Sequence, residues 1–163
     1  NGCVDTFKGD PATYITKMNA EITARQLPTY PLDVCLASGR PLNVKGTATD
    51  RVFMNQLMRF CCGGCADVVL KFDPTDPGAG GARWMSAQRK LEAAYVDQQM
   101  PTYPLKTCVI SGNPLGAKTV NLVEGDTLVR ICCPGCEKGF NADPVKFIGV
   151  VQSARNKDDK AAS

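Results

Sequence analysis

One stretch of this chain returns further along it, and the four cysteines it carries return with it. Gln26-Leu27-Pro28-Thr29-Tyr30-Pro31-Leu32 comes back as Gln99-Met100-Pro101-Thr102-Tyr103-Pro104-Leu105. Cys35, Ser38-Gly39 and Pro41-Leu42 come back as Cys108, Ser111-Gly112 and Pro114-Leu115. Arg59-Phe60-Cys61-Cys62-Gly63-Gly64-Cys65 comes back as Arg130-Ile131-Cys132-Cys133-Pro134-Gly135-Cys136. Shared order and near-equal spacing make two modules of one design, each too short to bury an ordinary core. Below roughly 40 residues of ordered chain, such modules need a metal or a disulfide to fold.

The rest of the chain is organised around these modules. Cys3, Phe7, Asp10-Pro11 and Tyr14 keep the separations of Cys136, Phe140, Asp143-Pro144 and Phe147. Residues 1–26 therefore read as the end of a preceding repeat and its helix. Gly2-Cys3 also suits a lipidated amino terminus, but that leaves the matching aromatic and Asp-Pro positions unexplained. The first complete module spans 27–74, a Pro/Gly linker with a connecting helix 75–98, the second module 99–152, and a polar tail 153–163. Asp10-Pro11 and Asp143-Pro144 predict helix starts, with Asp as cap and Pro in the first turn. Ile15, Met18 and Ile22 follow at helical spacing, as do Phe147, Val150 and Val151, and Trp84, Gln88, Leu91 and Tyr95. Asp73 to Gly81 is too rich in Pro and Gly for regular structure. The stretches 51–60 and 122–131 predict hairpins that turn at Met54-Asn55 and Gly125-Asp126, each leading straight into a cysteine triplet. The expected fold class is small α+β, with a β-hairpin and a helix in each module.

The chemistry lies in the cysteines. There are nine, and no histidine, which excludes mixed Cys/His zinc sites and the commonest general base. Each complete module offers four thiols: Cys35, Cys61, Cys62 and Cys65, then Cys108, Cys132, Cys133 and Cys136. Four is the number a tetrahedral soft-metal site takes. Neighbours on an extended strand face opposite ways, so Cys61 and Cys62 reach one ion together only through a sharp turn. Cys35, Cys61 and Cys65 form the firmer subset, as do Cys108, Cys132 and Cys136; Cys62 and Cys133 are fourth ligands or spare thiols. Three thiolates favour Cu(I) and four favour Zn(II), with about one ion per complete module. A helix amino terminus just after each triplet is expected to stabilise thiolate charge there. The alternative is an array stapled by disulfides, structural or interaction-bearing, in an extracytoplasmic assembly. Cys62-Gly63-Gly64-Cys65 and Cys133-Pro134-Gly135-Cys136 also fit a redox Cys-x-x-Cys, but the strand–helix–strand context of that motif is absent. Met54 and Met58 lie near the first triplet, yet correspond to Gly125 and Val129 and read as turn and packing positions.

Cys108-Val109-Ile110-Ser111-Gly112, the hairpin, Cys132 to Cys136, Phe140 and Asp143-Pro144-Val145-Lys146-Phe147 together resemble the YHS domain and the related TRASH domain. The resemblance covers most of each module and is fuller in the second. It implies tandem treble-clef-like modules and a role in heavy-metal trafficking, buffering, resistance or sensing. Two departures stand out: the eponymous histidine is missing, and Cys62 and Cys133 replace the serine that follows the first cysteine of the pair. In the first module Cys65-Ala66-Asp67-Val68-Val69 also lacks the Phe.

The remaining composition narrows the class. A net charge of +3, scattered along the chain, gives no footprint for nucleic acid. No apolar run reaches the ~20 residues of a transmembrane helix. The expected partner is a metal ion, with other subunits or further repeats of the chain. The chain is expected not to be an enzyme, and to be extracytoplasmic, in a periplasm or cell envelope.

Overall fold

The computed structural model describes residues 7–44, 46–71 and 79–161. Cys3 and the first part of the Pro/Gly stretch lie outside the described residues. The chain divides into two compact units, residues 1–91 and 92–163. Both are small α+β assemblies built on a two-stranded antiparallel hairpin.

In the first unit, helix α1 (Pro11–Gln26) is followed by a 3-10 turn (Leu27–Thr29), strands β1 (Thr49–Phe53) and β2 (Gln56–Phe60), and helix α2 (Gly63–Leu70). Asp10 caps α1, its side chain accepting from the Thr13 amide at 3.2 Å, and Pro11 occupies the first turn. The hairpin pairs Thr49 with Phe60 and Phe53 with Gln56, so the turn falls at Met54-Asn55 as the alternation predicts. An isolated hairpin is barely stable in water. Here β2 is the covered strand, with Leu57, Met58 and Phe60 fully buried.

In the second unit, β3 (Val120–Glu124) and β4 (Thr127–Ile131) pair in the corresponding register, Val120 with Ile131 and Glu124 with Thr127. Leu128, Val129 and Ile131 are buried. A 3-10 turn (Pro134–Cys136) leads to α4 (Glu137–Ala142) and α5 (Pro144–Ala161). Phe140, Val129 and Val151 form the centre of a core to which Tyr103, Leu105, Ile110 and Phe147 contribute. Asp143 accepts from the Lys146 amide at 3.2 Å, repeating the cap of α1.

Three expectations shift. Helix α3 (Ala79–Gln99) begins inside the stretch whose composition reads as linker, so Gly80 and Gly81 are helical. Its later turns bury Leu91 and Tyr95 completely, and burial outweighs the cost of about 1 kcal/mol for each helical glycine. Helix α5 runs on through Ala161, so the segment read as a polar tail is helical at least that far. The apolar spacing of α1 does not mark a covered face throughout: Ile15 and Met18 are about half exposed, at 48% and 51%.

Each hairpin is locked from the end of the preceding helix by a buried glutamine. Gln26 is fully buried; its amide nitrogen donates to the Asn55 carbonyl at 2.9 Å and its oxygen accepts from the Leu57 amide at 2.7 Å. Gln99 does the same with the Asp126 carbonyl (2.7 Å) and the Leu128 amide (2.9 Å), and its oxygen also accepts from the Arg155 guanidinium. A side-chain amide has one donor end and one acceptor end, which matches the two backbone groups left open beside a two-residue turn.

Candidate metal centres

The sulfurs are assembled from three places in sequence. The first is a tight loop. The Cys35 amide donates to the Arg40 carbonyl (2.7 Å) and the Gly39 amide to the Cys35 carbonyl (2.8 Å), while Val34 and Pro41 form an isolated bridge. Gly39 sits at φ 69, a left-handed conformation that glycine adopts without strain. The second unit repeats the loop: Cys108 amide to Asn113 carbonyl (2.8 Å), Gly112 amide to Cys108 carbonyl (2.9 Å), Thr107 bridging Pro114, and Gly112 at φ 74.

The second element is the strand that ends at Cys61 or Cys132. It is held by a tyrosine from the entry segment. The Arg59 amide donates to the Tyr30 hydroxyl (3.2 Å), and the Arg59 guanidinium lies 5.7 Å from the Tyr30 ring centre. Arg130 and Tyr103 repeat this at 3.0 and 5.5 Å. The third element is the turn into the helix, where the Cys65 amide donates to the Cys62 carbonyl and the Cys136 amide to the Cys133 carbonyl, both at 3.1 Å.

These elements bring together Cys35, Cys61 and Cys65, and separately Cys108, Cys132 and Cys136; within each group the sulfurs lie within 4.8 Å of one another. Cys35, Cys61 and Cys108 are almost fully buried. The Cys61–Cys65 and Cys132–Cys136 Sγ separations are both 3.7 Å. Metal–thiolate bonds of about 2.3 Å place sulfurs about 3.8 Å apart around a tetrahedral ion and about 4.0 Å apart around a trigonal one, so these edges fit either. All eight described cysteines are free thiols, in contrast to the disulfide-stapled alternative.

Cys62 and Cys133 stand outside these groups of three. Both have extended backbone (φ −167 and −164), a geometry that on a strand points neighbouring side chains to opposite faces. Cys62 contacts Cys65. Cys133 departs from the expectation further, for its Sγ lies 3.9 Å from that of Cys132 and 4.0 Å from that of Cys136.

Charge is distributed differently from the sequence expectation. Burial works to push the Cys35 thiol up, but the Ser38 hydroxyl and the amides of Cys61, Ser38 and Ala37 outweigh it and bring it down to about 6. Cys108 falls to about 6 in the same way, its burial opposed by Ser111 and by the amides of Ser111, Cys132 and Ile110. Cys65 and Cys136, at the helix starts, go the other way: burial and the neighbouring thiols push each up to about 12. The helix amino terminus is therefore not where the thiolate rests. Thiolate is favoured at the loop cysteines, Cys35 and Cys108, over Cys65 and Cys136.

Ser38 and Ser111 lie beside the sulfurs, positions to which the sequence reading gave no role. Ser38 Oγ accepts from the Arg40 amide (3.4 Å) and lies 3.6 Å from Cys61 Sγ; Ser111 Oγ accepts from the Asn113 amide (3.3 Å) and lies 3.4 Å from Cys132 Sγ. With an amide already on its oxygen, each hydroxyl has its own hydrogen to give to sulfur. Their recurrence beside Gly39 and Gly112 was the available signal. Met58 is buried and Met54 is 73% exposed, which agrees with packing and turn roles.

No family model matches the chain, and comparison with curated proteins and with solved structures likewise returns no match. Among the described residues, no helix is long and apolar enough to cross a membrane.

Proposed function

We propose that the chain binds soft metal ions, Cu(I) or Zn(II), about one in each unit, and serves to traffic, buffer or sequester them rather than to transform a substrate. The observation that carries this is the convergence of three thiols from separate parts of the chain, twice, at separations that suit metal–thiolate bonds. Hydroxyl and amide donors around Cys35 and Cys108 favour thiolate there, the form that ligates. The resemblance to YHS and TRASH domains supports the same reading, with each unit a treble-clef-like module of a tandem repeat.

The test is metal content by mass spectrometry together with thiol titration, on the chain purified without oxygen. At least one ion per unit, with thiols reacting only after chelation, is the expected result. No metal, with thiols appearing only after reduction, would replace this reading with the disulfide-stapled array.

A further inference from the structure

In the second unit the fourth cysteine folds back onto its two neighbours in the triplet. Cys132, Cys133 and Cys136 form a complete triangle of sulfurs, with edges of 3.9, 4.0 and 3.7 Å. Cys108 caps the Cys132–Cys136 edge from the buried side, 2% exposed. Cys133 approaches the same edge but stays outside the group in which all sulfurs lie within 4.8 Å. The four thiols therefore do not close a tetrahedron. They make two triangular faces hinged on one edge, the inner completed by the buried Cys108 and the outer by the half-buried Cys133.

The outer face has a local cause. Pro134 opens a 3-10 turn, tighter than an α-turn, and the Cys133 sulfur folds over it, 3.7 Å from where a Cβ on Gly135 would stand. In the first unit Gly63 begins an α-helix directly, and the corresponding space over Gly64 is open.

We propose that the second unit takes two monovalent soft ions: one on the inner face of Cys108, Cys132 and Cys136, and one on the outer face of Cys132, Cys133 and Cys136. The two ions share the Cys132 and Cys136 sulfurs as bridges. This rests on the soft-metal reading above. Three thiolates at trigonal separations satisfy a monovalent soft ion, whereas a zinc ion asks for a fourth ligand that neither face supplies. Four thiols lose four protons to hold the pair, so loading both faces releases more acid than loading one. The outer ion is the exposed one, and it exchanges with solution before the inner.

The experiment is native mass spectrometry of the full reduced chain titrated with Ag(I), a redox-stable monovalent probe, against an excess of a competing monothiol. Three retained ions are expected for the wild type, two for Cys133→Ser and three for Cys62→Ser. Cys108→Ser provides a second reading that leaves the outer face intact, with two ions expected. If wild type and Cys133→Ser both retain two, there is no outer site. If wild type retains two and Cys133→Ser one, Cys133 completes a single inner site. A loss from Cys62→Ser to two would move the extra ion to the first unit, and a Cys108→Ser chain retaining only one would also overturn the outer face. All four of those outcomes leave soft-metal binding standing. Retention of no Ag(I) by the wild type would remove both proposals together.

Discussion

In the first unit α2 begins directly after Cys62, and its inward residues are small or aliphatic, Ala66 and Val69. In the second unit a 3-10 turn delays the helix to Glu137, and Phe140 is buried against Val129 and Val151. The groups of three cysteines nevertheless share the same 3.7 Å edge. Sulfur placement is set by the loop, the hairpin and the glutamine lock, which both units share. The helix that follows decides how much apolar support lies behind the sulfurs and where the fourth cysteine goes.

Removing a ligand tests that equivalence most severely. Cys35→Ser should cost the first unit its ion and leave the second unit's in place, and Cys108→Ser should leave the first unit's intact. Because thiolate–metal binding contributes on the order of 10 kcal/mol to folding in small modules, the affected unit should unfold at a markedly lower temperature. Metal stoichiometry and calorimetry read this directly. If either substitution released the ions of both units, the units would not be equivalent and separate.

Next come the cores, where the units should diverge. Phe140→Ala should destabilise the second unit by about 3–5 kcal/mol. Val69→Ala removes two methyl groups and should cost the first unit about 1–2 kcal/mol. Denaturant unfolding of metal-loaded protein checks the ratio; equal losses would mean that Phe140 contributes no more than an aliphatic side chain. The glutamine locks should give a smaller, more even pair. Gln26→Ala and Gln99→Ala each strand a carbonyl and an amide beside a turn, at about 1–3 kcal/mol for a buried unsatisfied group. Gln99 should be the costlier, since its bond to the Arg155 guanidinium is lost as well.

Acidity offers a comparison within each group of thiols. Cys35 and Cys108 are held at about 6 in the fold, below the ordinary 9.0. A depressed pKa adds stability that is fully present above about 9 and is lost as pH falls through about 6. Cys65 and Cys136, raised to about 12, act oppositely: their contribution is full below about 9 and is lost as pH rises through about 12. The reduced, metal-free chain should thus be most stable near pH 9 and weaken on both sides. Melting temperatures across that range check it, and in Cys35→Ser/Cys108→Ser the acid-side slope should flatten.

Much of this was legible before any coordinates. Alternating apolar residues around Met54-Asn55 and Gly125-Asp126 placed both hairpins, because period-two patterning beside a two-residue turn leaves little choice of register. The two groups of three cysteines followed from strand geometry, although Cys133 comes within 3.9 Å of Cys132, nearer than that geometry allows for. Gln26 and Gln99 were visible as repeats but mute, since a buried amide looks no different in sequence from a surface one. The position of Cys133 was illegible for another reason: it depends on a single 3-10 turn, and nothing in Pro134-Gly135 alone says how tightly the chain winds. Composition misjudged residues 79–81 because burial later in the helix overrides the local preference of glycine.

The smallest test concerns the two turns. Gly125 takes φ 61, whereas the first unit places Met54 at φ 48 and Asn55 at φ 63. Asparagine tolerates that region; methionine does so at about 1–2 kcal/mol. Met54 is 73% exposed, so little packing offsets that strain. Glycine relieves the strain but brings more entropy to the unfolded chain, roughly 0.5–1 kcal/mol. Met54→Gly should therefore stabilise the first unit by about 0.5–1 kcal/mol, and Gly125→Met should destabilise the second by about 1 kcal/mol, the left-handed penalty now falling on methionine. Chemical denaturation of each single variant resolves both. A loss of stability in Met54→Gly would show that the exposed thioether is held by a contact that the turn geometry alone does not explain, and would make the first hairpin tip different in kind from the second.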